Sequence, residues 1–277
     1  MSTSTAIPTE TTRYVTRPSG RIGFDVDGQG PLVVLVPGMG DLRSTFRSLA
    51  PSLRVAGYRV ASTDLRGQGD SDATFDSYGD PETAGDVIAL LEELGGRAVI
   101  VGNSMGAAAA VIVAAERTEL VRGIVLIGPF VRNGKSSAMQ RLLQRAAMTP
   151  LWAAAAWKSY LPKLYAGRRP DDFEAYRRRV IASLRLPGHA KAFSRITRTS
   201  HDPAEARLSD VKAPTLVVMG ELDPDFPDPK AEAEWIGGKL HGEAVMVPEA
   251  GHYPQSQRPD LTTNAVLRFL ATLGDSA

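Results

Sequence analysis

Cysteine is absent from this chain of 277 residues. Its absence removes a disulfide framework, a thiolate nucleophile and any Cys-based metal site. No apolar run approaches the ~20 residues that a membrane-spanning helix needs. Residues 1–12 are rich in Ser and Thr and lack both the basic and the apolar segment of a signal peptide, so a frayed tail and a cytoplasmic location are expected. A surplus of either charge is missing as well: 32 Lys and Arg stand against 31 Asp and Glu, a net charge of +1. That balance gives no reason to expect nucleic acid or a membrane as partner. Histidine is scarce, four in all, so each can be weighed in turn as a base.

Apolar residues make up 43% of the chain, enough for one large core with room for a subdomain. The pattern predicts an opening hairpin, Thr12–Thr16 with Arg21–Asp27. Leu32–Val36 is a continuous Leu/Val run that reads as a strand buried on both faces. Further strands are expected over Tyr58–Thr63, Ala98–Val101, Gly123–Ile127, Thr215–Gly220 and Glu243–Val247. Helices are expected over Ser44–Ala56, Pro81–Leu94, Ala107–Arg117, Pro229–Leu240 and Arg258–Leu273. Such alternation implies an α/β fold, a mostly parallel twisted sheet covered by helices on both faces.

The alternation stops at Gly128-Pro129. From about 134 to 206 no strand-like run occurs, and prolines divide the stretch into four expected helices: Ser136–Met148, Leu151–Tyr160, Asp171–Leu186 and Gly188–Ser200. This predicts a core domain in two parts, 1–130 and 207–277, with a four-helix cap at 131–206. Residues 131–205 hold 15 Lys and Arg but 5 acids, while the remainder carries 17 and 26. The surplus either attracts an anionic substrate or is a solvated helical face docked on an acidic body; the second is the simpler reading.

Chemistry concentrates where a strand meets a helix. Gly102-Asn103-Ser104-Met105-Gly106 follows the apolar run 98–101 and precedes the alanine-rich run 107–115. Ser104 then sits on a sharp turn, with a glycine two positions to either side where a β-carbon would collide with neighbouring backbone. A serine nucleophile needs a base and a group that orients it. His252 lies in the loop between the last strand and the last helix and is the candidate base. His189, His201 and His241 lie on or beside expected helices and strands and are expected to be surface residues. Asp223 is the first aspartate beyond the strand 215–220 and is the first choice of acid, with Asp225 and Asp228 as competitors. The backbone N–H groups of Met39 and Met105 are the candidate oxyanion donors. The glycines of Asp64–Ser71 are not a phosphate loop, because no Lys-Ser/Thr follows them; a structural turn is expected.

With Pro37-Gly38-Met39-Gly40, Asp64–Ser71, the Ser104 pentapeptide, Gly220-Glu221-Leu222-Asp223 and Gly251-His252 in this order, the chain resembles the α/β-hydrolase superfamily over nearly its whole length. Pro37 departs from the histidine that many members carry there. Within the superfamily the chain looks like bacterial carboxylesterases with a helical cap, and less closely like cofactor-free perhydrolases and hydrolase-fold hormone receptors. Ser104 counts against epoxide hydrolases and haloalkane dehalogenases, which place an aspartate at that turn. The resemblance implies hydrolysis of small or medium hydrophobic esters through an acyl-enzyme, without metal or cofactor. Alternatives are a slow-turnover small-molecule receptor, or lactone, amide, C–C bond or perhydrolytic chemistry on the same triad. A substrate pocket is expected from Gly38, Phe130, Leu143, Ala147, Met148, Leu151, Trp152, Trp157, Tyr160 and Tyr253. A monomer or homodimer is expected. The rate should fall on acidification with an apparent pKa of roughly 6–7, where a histidine ordinarily titrates.

Overall fold

The computed structural model describes residues 11–134, 146 and 148–274. Its strands are β1 (Arg13–Arg17), β2 (Gly20–Asp27), β3 (Leu32–Val36), β4 (Arg59–Thr63), β5 (Ala98–Asn103), β6 (Val121–Ile127), β7 (Thr215–Gly220) and β8 (Glu243–Val247). They form one sheet in the order β1-β2-β4-β3-β5-β6-β7-β8. β2 pairs antiparallel with β1 and with β4, and every other neighbouring pair is parallel. The helices are α1 (Leu49–Val55), α2 (Asp80–Leu94), α3 (Met105–Glu116), α4 (Ala153–Leu164), α5 (Phe173–Leu184), α6 (His189–Ile196), α7 (Asp202–Glu205), α8 (Pro229–Leu240), α9 (Pro254–Gln257) and α10 (Pro259–Thr272).

The Leu/Val run of β3 has no solvent face because both of its faces are covered. Val34 and Val36 pack into a core with α2, α3 and α8, while Val33 and Leu35 pack into a second core with α1 and α10. The strand order reverses at β3: β4 lies on one side and β5 on the other. Loops leaving β3 and β5 therefore part at the carboxyl edge and open a crevice, the usual ligand position in such sheets. Val36 pairs with Gly102 at that edge, so the loop 37–41 and the turn at Ser104 lie side by side.

Several element bounds differ from the pattern. The stretch 44–56 is a 3-10 turn (Arg43–Phe46) followed by α1, because Pro51 has no N–H to donate and a continuous helix would leave the Arg47 carbonyl unmet. β5 runs two residues further than expected, so Ser104 follows the strand directly. α4 passes through Pro162 and ends at Leu164; one lost bond in the last turn is offset by burial of Leu161 and Leu164. The expected helix 136–148 lies almost wholly outside the described residues. α4, α5 and α6 build a third apolar cluster around Trp157, Leu161, Tyr176 and Phe193, which also takes in Tyr253 from the β8 side. The basic residues 158, 163, 168, 169, 178, 179, 185, 191, 195 and 198 are exposed, as a solvated face requires. The turn 64–71 folds on buried Asp64, which accepts from Arg43 N at 2.7 Å and Asp70 N at 3.1 Å and pairs with the Arg43 guanidinium. No helix among the described residues is long and apolar enough to cross a membrane.

Candidate active site

Ser104 joins β5 to α3 with φ 57° and ψ −120°, a conformation costly for a residue with a side chain. The flanking glycines make the turn possible. A β-carbon on Gly102 would lie 2.2 Å from the Gly106 carbonyl oxygen, and one on Gly106 would lie 2.4 Å from that of Val36. Asn103 fastens the turn from behind: its Nδ2 donates to Ile127 O at 3.0 Å and to His252 O at 3.3 Å. Ser104 N donates to Ile127 O at 2.9 Å.

The backbone N–H groups of Met39 and Met105 have no protein acceptor among the described residues. Met105 is the first residue of α3, where orphan donors and the positive end of the helix dipole coincide. Gly38 lies against the serine, since a β-carbon there would stand 2.7 Å from Ser104 Cβ. The loop is held from the far side by α4, with Trp157 Nε1 donating to Gly40 O at 2.7 Å.

His252 and Asp223 meet beyond β8 and β7. The imidazole Nδ1 lies 2.7 Å from Asp223 Oδ2, and both side chains are buried. Asp225 stands second, its Oδ2 3.9 Å from the same nitrogen, and its other oxygen accepts from Tyr160 of α4. Asp228 is remote from this chemistry: it caps α8 by accepting from Ala231 N at 2.9 Å. Burial disfavours a charged His252, but the charge and hydrogen bond of Asp223, with Asp225 and Asp41 adding to them, lift its pKa to about 9. This lies above the 6–7 expected for the rate from an ordinary histidine. Burial likewise raises the pKa of Asp225, opposed by His252 and the Tyr160 hydroxyl. Asp223, Asp225 and His252 converge closely enough to ligate a cation, but Nδ1 and Asp223 Oδ2 are already spent on each other.

The His252 loop rests on the helical segment. His252 N donates to Leu164 O at 2.8 Å. Gln257 accepts from Gly251 N at 2.9 Å and donates to Ala166 O and Arg168 O at 2.8 and 2.7 Å.

Ser104 and His252 open onto one cavity of about 780 Å³. Among the described residues no hydrogen bond joins the Ser104 hydroxyl to His252; such contacts are often loose before substrate binds. Of the residues expected in the pocket, Phe130, Met148, Trp157, Tyr160 and Tyr253 line the cavity and Gly38 does not; Met39 and Leu164 line it as well. Leu151 and Trp152 do not line it. They lie at the start of the helical segment, 80% and 59% exposed, because α4 turns its Trp157–Leu161–Leu164 face inward and leaves the preceding turn outside. Leu143 and Ala147 lie outside the described residues. His189 and His201 are not surface residues: both are buried, and His201 Nδ1 meets Asp80 Oδ2 at 2.7 Å. His241 is exposed. The Asp225–Tyr160 contact, Gln257 and the His201–Asp80 pair carry no motif and join residues distant in sequence, so nothing in the linear order marked them.

The chain is 28% identical to a 2-(acetamidomethylene)succinate hydrolase of Mesorhizobium japonicum, with 91% of this chain and 92% of the relative covered. It is 29% identical to a 2-hydroxy-6-oxo-6-phenylhexa-2,4-dienoate hydrolase of Burkholderia cepacia, over 91% of each. Among solved structures, an esterase from Thermogutta terrifontis superposes with a TM-score of 0.79 at 22% identity, over 95% of this chain and 99% of that one. Its likeness is one of fold. The sequence model of the alpha/beta hydrolase family matches residues 33–265, from β3 to within α10, and the chain belongs to that family.

Proposed function

We propose that the protein is a serine hydrolase that cleaves carboxylic esters of small or medium hydrophobic substrates through an acyl-enzyme. The observation that carries this reading is the convergence of Ser104 and the buried His252–Asp223 pair on one cavity whose lining includes Phe130, Trp157 and Tyr160. Ser104 Oγ attacks the ester carbonyl as His252 takes its proton, and Asp223 holds the imidazole so that Nε2 receives it. The oxyanion is held by the N–H groups of Met39 and Met105, which are fixed in place before the reaction begins. The tetrahedral intermediate collapses, His252 protonates the leaving alcohol, and water resolves the acyl-enzyme by the same route. None of these steps calls on a metal or cofactor.

Chromogenic esters of increasing acyl length, offered to the wild type and to Ser104→Ala, test it. Short and medium chains should be preferred, and the substitution should lower kcat by about 10⁶-fold. Activity that survives in Ser104→Ala would sink the mechanism. A second reading follows from the Burkholderia relative, whose named substrate contains no ester: the same triad cleaving a C–C bond beside a ketone. Turnover of vinylogous diketone acids with no turnover of any ester would favour it.

A further inference from the structure

A second histidine in the cavity is built like the first. His201 follows α6 at the start of α7, and its Nδ1 is spent on Asp80 at the start of α2, 2.7 Å away. Both residues are buried. Oδ1 of Asp80 has no partner among the described residues, so the His201 ring is what Asp80 meets there. His201 Nε2 has no protein partner among the described residues either, yet it is not sealed away, and the residue lines the cavity that holds Ser104. The pattern repeats that of His252, with Nδ1 held by a buried aspartate and Nε2 left open. One ring separates the two: Phe130 lies 5.7 Å from the His252 ring and 5.6 Å from that of His201, centre to centre.

The two ends of the cavity differ in charge. The His252 end carries Asp223 and Asp225. The His201 end carries Arg198, which lines the cavity and makes no ion pair among the described residues. Asp202 nearby is exposed and accepts from Asn133. Nδ1 faces Asp80, so Nε2 is the ring nitrogen left to meet a group in the cavity. A carboxyl group there meets Nε2 and the guanidinium of Arg198, which lines the same cavity, and charge-assisted bonds to a guanidinium are among the strong ones. An anionic group would be repelled at the opposite end, which fixes its direction of entry. The basic surplus of residues 131–205, 15 Lys and Arg against 5 acids, would draw anions toward this side of the molecule.

We propose that His201, oriented by Asp80, and Arg198 form a carboxylate subsite, so that the favoured substrates are esters whose acyl chain ends in a free carboxylate. This rests on the esterase reading above. The acyl chain must pass Phe130, which calls for the half-esters of short dicarboxylic acids.

The test pairs the mono-4-nitrophenyl esters of glutaric and adipic acid with the same compounds capped as methyl esters. The wild type should favour the free acids by about tenfold or more in kcat/KM, mainly through KM, the worth of one charged hydrogen bond. His201→Gln should bring that ratio close to one. Arg198→Ala, at an exposed position with little bearing on folding, should lower the same ratio. An unchanged ratio in both variants, or no preference in the wild type, overturns the proposal while leaving the esterase reading intact. If the wild type cleaves no ester, that reading fails, and calorimetric titration of the wild type and Arg198→Ala with monomethyl glutarate and dimethyl glutarate decides the subsite by itself. Tighter binding of the free acid that is lost in Arg198→Ala supports it; equal binding of both ligands overturns it.

Discussion

Asp225 shows how a residue other than the proposed triad acid can still set the electrostatics of His252. It stands 3.9 Å from His252 Nδ1, is half-buried, and takes the Tyr160 hydroxyl. Two carboxylates thus face one imidazole, and the His252 pKa rises to about 9. Because the proposed base must be neutral, kcat/KM should climb as pH rises through about 9 and level off above it. Asp225→Asn keeps the acceptor for Tyr160 but removes a charge, so the limb should move down by about one unit. Rate profiles from pH 5 to 10 decide it; a limb near 6.5 in both proteins would contradict the arrangement. The same shift stabilises the fold below the ordinary histidine value of 6.5, and that contribution fades as pH passes about 9. At this scale Ser104, His252 and Asp223 were legible, because each follows a strand in a recognisable order. His201 was not: its partner Asp80 lies 121 residues away, and a lone histidine beside a helix reads as exposed.

The strand–turn–helix element β5–Ser104–α3 depends on contacts at atomic range. A methyl group on Gly106 would press on the Val36 and Pro37 carbonyls at 2.4 and 2.7 Å, whereas one on Gly96 meets nothing within 4 Å. Gly106→Ala should therefore cost about 3 kcal/mol or more, by analogy with overpacked sites, while Gly96→Ala should be near neutral; urea denaturation of the two proteins compares them directly. The loop after β3 depends instead on a partner from α4. Trp157→Phe keeps the ring contacts with Tyr160 and Phe193 but deletes the N–H that Gly40 O receives. The orphaned carbonyl should cost about 1–3 kcal/mol of stability. If the loop then loosens around the Met39 N–H, kcat and kcat/KM fall together, by about tenfold. Unaltered kcat would show that the loop holds its shape without α4. The strand and helix runs could be read in advance from periodicity and from glycine and proline. Element ends could not be, because burial of Leu161 and Leu164 outweighs the break that Pro162 would impose.

At the scale of the molecule, the helical segment has its own small core and meets the sheet-bearing body through Tyr253 and a set of polar contacts. Tyr176 of α5 donates to buried Asp41 beside the β3 loop, and Arg47 holds Asp172 at 2.6 and 2.7 Å. Asp41 is kept from its ordinary acidity by burial, against which the Tyr176 bond works. Amides of α4–α6 should exchange with deuterium before those of β3, β5 and β6, whose two cores are larger and continuous. Tyr176→Phe should speed exchange in α4–α6 by about tenfold, the worth of a bond to a buried carboxylate, and leave the central strands unchanged. Uniform acceleration across both regions would mean that the two open as one unit.

The sequence by itself determined the sheet, the position of the helical segment and the order serine, acid, histidine. These rest on local periodicity and on turn chemistry, which a chain carries in its neighbouring residues. Only the tertiary structure decided that Asp223 rather than Asp225 or Asp228 meets His252, that Leu151 and Trp152 face outward, and that His201 shares the cavity. Those outcomes depend on which distant elements touch, and on burial strong enough to set the charge of a side chain.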